Sequence, residues 1–274
     1  MMVTEFDYTA PTSVEQAVTA LALTGARPLA GGQGVLTAMK LGRTAPRLLV
    51  DLSRIDELRG VIPSADGGLR IGAYTTLTDL ATTLTGMPSA YDALAEAATA
   101  VADTQIRNRA TVGGTLAGRH SASDLAAALL VLAGRLTVAG RSGRRTVALT
   151  DFYTPDGPLL AHADIIVEVE VPAPEAELRT AYERTTDRAT LSPVAGVAVA
   201  LTPGAVRVAV TGATAWPRRV PEAETVAPRP GSWVDDVGPG CRFRDDDVAS
   251  AAYRAHLTRV LAGRALARAG SGHA

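Results

Sequence analysis

Residues Gln105–Leu125, QIRNRATVGGTLAGRHSASDL, decide how the rest of this chain is read. The stretch runs from a β-type segment into a double glycine, through a polar loop, to an Ala/Leu-rich helix signal. Gly113 and Gly114 carry no Cβ, so they can take positive φ and let a flat or charged ligand lie against the main chain. Thr111 and Thr115 flank them with hydroxyls. Ser121, Ser123 and Asp124 precede the apolar run Leu125–Leu132. That is the pattern of a capped helix N-terminus, whose N–H groups and partial positive charge suit an anion. Taken alone, the double glycine reads first as a tight turn ahead of a capped helix. A second stretch of the same kind changes that. Pro28–Leu36, PLAGGQGVL, is again an apolar run breaking into glycines before a short helix signal, Val35–Lys40. Two such turns could cradle two parts of one dinucleotide.

Composition narrows the class. The 274 residues are 47% hydrophobic and 20% charged, which describes a globular chain. A net charge of −1 argues against a nucleic-acid or membrane-surface protein. The basic residues are nearly all Arg; Lys40 is the only lysine and Asn108 the only asparagine. One cysteine, Cys241, allows neither an internal disulfide nor a Cys-ligated metal or iron–sulfur site, and reads as a structural thiol. The N-terminus lacks the apolar core of a signal peptide, and no run of about twenty apolar residues suggests a membrane span. The cytoplasm is the expected location.

Taken in order, Phe6–Thr9, Arg27–Ala30 and Arg47–Asp51 read as strands. They alternate with helices from Val14 and from Val35, so the first sixty residues should form a small, mainly parallel sheet. Leu58–Ile62 and Gly68–Gly72 form a hairpin about Asp66–Gly68. Leu77–Leu84 and Tyr91–Ala102 read as helices, the first capped by Thr75 or Thr76. After the second glycine stretch come a helix Asp124–Ala133, a hairpin of Arg135–Ala139 with Arg144–Leu149, and a half-exposed strand Ala163–Val171. Pro172–Pro174 marks a domain boundary. Beyond it, Leu178–Arg184, Val194–Leu201 and Ala205–Thr211 suggest a small antiparallel sheet. Pro217–Pro230 reads as loop and Val248–Arg268 as a helical tail.

These motifs resemble the FAD-binding medium subunit of the molybdenum hydroxylases, the family of xanthine dehydrogenase and carbon monoxide dehydrogenase flavoproteins. The family's AGGxDL turn is similar to Ala30-Gly-Gly-Gln-Gly-Val35. Its RNxxTxGGNxA…SDL signature is similar to Arg107-Asn-Arg-Ala-Thr-Val-Gly-Gly-Thr-Leu-Ala117 through Ser123-Asp124-Leu125. Asp151-Phe-Tyr to Ile165-Ile166 resembles a "DFF…EI" segment, and Tyr253-Arg254 to Leu266 resembles the closing helix. The resemblance covers nearly the whole chain. It implies an α+β, PCMH-type FAD-binding fold: two α/β subdomains, residues 1–58 and 59–172, and a C-terminal domain, residues 173–274, with a three-stranded antiparallel sheet and helices. It implies FAD held by Leu29, Ala30, Gly31, Gly32, Gln33, Gly34 and Val35, and by Ile106, Thr111, Gly113, Gly114, Thr115 and Ala117. The amides at both glycine stretches would grip the diphosphate. Ser123 and Asp124 would reach ribityl or ribose hydroxyls, and Ile166 would pack on a cofactor ring.

The departures from the family pattern are local. Gln33 and Gly34 replace Thr/His and Asp/Ser, and Thr115 replaces Asn or Asp. Glu183 falls where relatives place a Lys beside the flavin, and a Glu there would oppose the anionic reduced flavin that a Lys stabilises. Arg188 falls near a flavin-stacking aromatic of some relatives. His120 reads as a solvated loop residue or a proton donor at the flavin edge. Arg107 and Arg109 read as phosphate or partner contacts, or as solvated strand-end charges. Trp216 and Trp233 read as packing or interface residues rather than flavin stackers. No side chain is assigned a catalytic role and no metal site is expected. The implied partners are a molybdenum-cofactor large subunit and a 2Fe–2S small subunit, with NAD or oxygen as acceptor. A free-standing flavoenzyme acting directly on a small organic substrate, and a flavin-free structural homologue, remain alternatives.

Overall fold

The computed structural model describes residues 5–118, 122–224 and 241–271. β1 (Asp7–Thr9) leads into α1 (Val14–Leu21), where Ser13 caps by accepting from the Gln16 N–H. Val14, Ala17, Val18 and Leu21 recur at helical spacing, and they are the residues α1 buries. β2 (Ala26–Leu29) is followed by α2 (Val35–Lys40). β3 (Leu48–Asp51) lies between β1 and β2, parallel to both. The crossovers make this pairing parallel, as the element order implies.

The next unit is antiparallel. β4 (Val61–Pro63) and β5 (Leu69–Gly72) form a hairpin that turns at Gly67, φ +90°. Its first strand begins later than Leu58, because Asp56–Leu58 closes into a 3-10 turn that buries Leu58. α3 (Leu77–Leu84), capped by Thr76, packs on α4 (Asp92–Ala100). Three helices follow: α5 (Thr104–Arg107), α6 (Val112–Ala117) and α7 (Asp124–Val131). β6 (Arg135–Gly140) and β7 (Gly143–Ala148) form the second hairpin. α8 (Leu149–Phe152) and a small hairpin of β8 (Tyr153–Thr154) and β9 (Gly157–Pro158) lead to β10 (Ile165–Val171). β10 inserts between β5 and β6, giving the order β4-β5-β10-β6-β7. As a central strand it buries its Ile and Val, while Glu168 reaches Arg70 of β5 at 2.6 Å.

Past Pro172–Pro174, β11 (Arg179–Thr186), β12 (Pro193–Thr202) and β13 (Ala205–Thr211) pair in antiparallel succession. A fourth strand, β14 (Arg218–Arg219), extends the expected three-stranded sheet, and α9 (Pro221–Glu224) follows it. Both lie in the stretch that reads as loop; a two-residue strand carries no alternation to read. α10 (Ala251–Ser271) covers one face of this sheet, against Ala181, Val197, Val199, Val208 and Val210. The other face, with Tyr182, Ala198, Ala200 and Ala209, joins the main core. α7 lies there, apolar all round after its first residue Asp124 and buried throughout, as a helix enclosed between layers must be. That core runs continuously across Pro172–Pro174. No described helix is long and apolar enough to cross a membrane.

Candidate dinucleotide-binding site

The second glycine stretch is helical rather than the expected strand and turn. Asp103 caps α5 by accepting from the Ile106 N–H at 2.8 Å. Thr111 caps α6 by accepting from the Gly114 N–H at 3.2 Å. Gly113 and Gly114 therefore sit inside α6, and neither has positive φ. Their missing side chains serve close approach instead. A Cβ on Gly113 would stand 2.7 Å from the Ala73 Cβ, and one on Gly114 would stand 2.8 Å from the Thr111 hydroxyl. The Gly113 N–H donates to the Ala73 carbonyl at 2.8 Å, and the Thr115 N–H to the Thr111 carbonyl at 2.9 Å. The amides of this stretch are thus satisfied within the protein.

The first stretch is different. Gly32 has φ +80°, a region that glycine enters without a Cβ penalty. A Cβ on Gly31 would overlap the carbonyl oxygen of Arg109, so the two stretches meet main chain to main chain. The Ala30 Cβ lies 3.9 Å from the place a Gly114 Cβ would take. Gln33 and Gly34 are exposed, and Gly34 faces open space. Among the described residues, no acceptor lies within hydrogen-bond reach of the N–H groups of Gly32, Gln33, Gly34 or Val35. A run of free amides in one loop is a site for anionic oxygen.

The remaining expected site residues divide. Ile106 and Ala117 are half-buried on α5 and α6, the two helices that flank Arg109 in the chain. Ile166, on β10, is buried in the main core. Ser123 accepts from the Ala126 N–H at 3.3 Å, and its own N–H donates to the Thr211 hydroxyl at 2.9 Å. Asp124 is 4% exposed, and its carboxylate is engaged by the Tyr182 hydroxyl and by Arg184 Nη1 at 3.2 and 3.3 Å. Gly196 makes room for that arrangement, because a Cβ there would overlap the Tyr182 hydroxyl. Burial pushes the Asp124 carboxyl above its ordinary value while Arg184 pulls it down, and burial pushes the Tyr182 phenol well up.

Glu183 is taken up by an ion pair with the C-terminal helix. Strand alternation turns it toward α10, where it accepts from Arg268 Nη1 at 2.6 Å. Arg184, one residue on, is the charged group of β11 that faces α7, and it also donates to the Ala100 carbonyl at the end of α4. Sequence reasoning missed Arg184, because with both faces of its sheet buried no polar face marks the side it takes. Trp216 is partly buried against the main core, as a packing residue should be. Cys241 is buried, and burial raises its thiol. His120, Ser121, Trp233 and His273 lie outside the described residues. Among the described residues, no cluster of three or more His, Cys, Asp or Glu side chains could hold a metal ion.

Two glycine-bearing segments that meet on an α+β body define a dinucleotide-binding protein. Residues 4–174 match the family described as the FAD binding domain in molybdopterin dehydrogenase. The chain is 36% identical over 219 residues to the carbon monoxide dehydrogenase medium chain of Hydrogenophaga pseudoflava, covering 77% of this chain and 76% of that one. It is 30% identical over 284 residues to the nicotine 6-hydroxylase medium subunit of Paenarthrobacter nicotinovorans, covering 96% and 97%. A solved carbon monoxide dehydrogenase from Hydrogenophaga pseudoflava superposes with a TM-score of 0.89 at 32% identity over 100% of both chains. The chain belongs to the FAD-binding domain family of molybdopterin dehydrogenases, and its cofactor is FAD. The residues present fit that group: free amides from Gly32 to Val35, open space at Gly34, and a second segment locked against the first.

Proposed function

We propose that this chain is the flavoprotein subunit of a molybdenum hydroxylase. It would take electrons from a 2Fe–2S small subunit, served by a molybdenum-cofactor large subunit, and pass them to NAD or oxygen in the cytoplasm. The observation that carries the reading is the contact of Gly31 with the Arg109 carbonyl, next to four amides free to receive a diphosphate. Bound FAD supplies the chemistry, a flavin that accepts and returns electrons singly or in pairs. The protein's residues do the holding. The amides of Gly32, Gln33, Gly34 and Val35 would hold the diphosphate. Leu29, Ala30, Ile106, Thr115 and Ala117 would line the cofactor beside the junction of the two segments. Thr111, Gly113 and Gly114 build that junction, since their polar atoms are already bonded to one another and to Ala73. Asp124, fixed by Arg184, anchors the C-terminal sheet to the flavin-binding part.

The medium-chain identity of several relatives supports the heteromeric reading. Mass spectrometry of the natively purified protein tests it. FAD together with two further chains is the expected result. FAD with this chain alone would favour the free-standing flavoenzyme, and the chain without any flavin would end both readings.

A further inference from the structure

The structure separates two arginines that the sequence presents as a pair. Arg107 is engaged: its guanidinium donates to the carbonyls of Val101 at 3.0 Å and Ala102 at 3.1 Å, and to the Thr104 hydroxyl at 3.0 Å. It ties the end of α4 to α5. Arg109 is exposed, and among the described residues nothing accepts a hydrogen bond from its side chain. Yet its backbone is fixed, because the Arg109 carbonyl and the Ala110 Cα back directly onto Gly31. The Arg109 N–H donates to the Ile106 carbonyl at 3.0 Å, and the next residue, Ala110, donates to the same carbonyl at 2.7 Å. A free cation on a rigid main chain thus stands beside the loop whose amides are unfilled.

We infer that Arg109 supplies the positive charge for the cofactor diphosphate, a binding role distinct from the structural role of Arg107. The inference rests on the proposed placement of FAD and deepens it. Main-chain amides alone give a diphosphate hydrogen bonds but no full compensating charge. A guanidinium adds that charge and can bond two oxygens at once. A guanidinium at the end of a long, flexible side chain can reach oxygens held on a neighbouring loop. No other described side chain with a free positive charge is tied by its own backbone to Gly31.

The test uses flavin-depleted full-length protein titrated with FAD, and separately with ADP, which carries the diphosphate without the flavin. Arg109→Gln should weaken both by about tenfold, the equivalent of about 1.4 kcal/mol, and flatten the salt dependence of binding. Arg109→Lys should recover most of the loss. The thermal midpoint of the unliganded protein should not move, because the side chain is exposed and unpaired. Arg107→Gln should do the reverse, lowering the midpoint through its lost bonds to α4. An Arg109→Gln protein that binds FAD and ADP within about twofold of the parent would overturn the inference while leaving the flavin reading intact. A parent protein that binds neither would overturn both.

Discussion

The main chain of Gly31 rests against the carbonyl of Arg109 so closely that no side-chain carbon fits between them. This contact joins two segments far apart in sequence, and everything proposed about the cofactor depends on it. Gly31→Ala must push two backbones apart, and overpacking of that kind costs about 2 kcal/mol or more. Thermal unfolding should show that loss, together with weakened FAD binding. A stable Gly31→Ala protein with parental affinity would mean the contact is not needed.

Gly34 offers the opposite test. Its backbone is right-handed helical, φ −84° and ψ −59°, and nothing lies near the place of its Cβ. Gly34→Ala should therefore leave the unliganded protein as stable or raise it by about 0.5 kcal/mol, through lost freedom of the unfolded chain. The family pattern carries Asp or Ser at this place in the turn, so a methyl there is compatible with the cofactor, and FAD affinity should stay within about twofold of the parent. A fall of about tenfold or more would show that the cofactor fills the space beside Gly34.

Arg184 and Asp124 form a buried pair, with side chains 17% and 5% exposed. Removing one member leaves the other charge uncompensated, at a cost of about 3 kcal/mol. Arg184→Met should show that loss near neutral pH. Burial already raises the Asp124 carboxyl above its ordinary 3.8, and loss of the cation raises it further. A raised folded-state value means the contribution is full below the unfolded value and lost as pH rises through the folded one. The stability gap between parent and variant should therefore widen as pH climbs from about 4 toward 8, and close on acidification. Urea unfolding across that range reads it; a gap independent of pH would show that the carboxyl is not the group left behind.

Glu183 answers to Arg268. Both side chains are partly exposed, at 22% and 39%, so Glu183→Gln should cost less than about 1 kcal/mol. The flavin reduction potential should stay in place. A spectroelectrochemical titration that finds a shift beyond about 30 mV, a tenfold change for a two-electron couple, would bring Glu183 back to the flavin.

Strands and helices with clear periodicity were legible before the structure. Val14, Ala17, Val18 and Leu21 mark α1, and the alternating Ile/Val and Glu of Ile165–Val171 mark β10. The glycine stretches were legible as a site but not in conformation. Gly113 and Gly114 are as consistent with a turn as with a helix start, and only Thr111 at the cap and Ala73 across the contact decide it. Glu183 and Arg184 differ by one position, and that parity selects the side of β11. Both sides of this sheet are buried, so no polar face in the sequence reveals which is which. The contact of Gly31 with Arg109 is long-range and made by backbone atoms, so it leaves no side-chain pattern to read.

The most direct test of the central claim is an experimental structure of the FAD-loaded protein. Diphosphate oxygens about 3 Å from the amide nitrogens of Gly32, Gln33, Gly34 and Val35, with Arg109 beside them, are the predicted result. A diphosphate bound elsewhere, with those four amides facing only water, would contradict it.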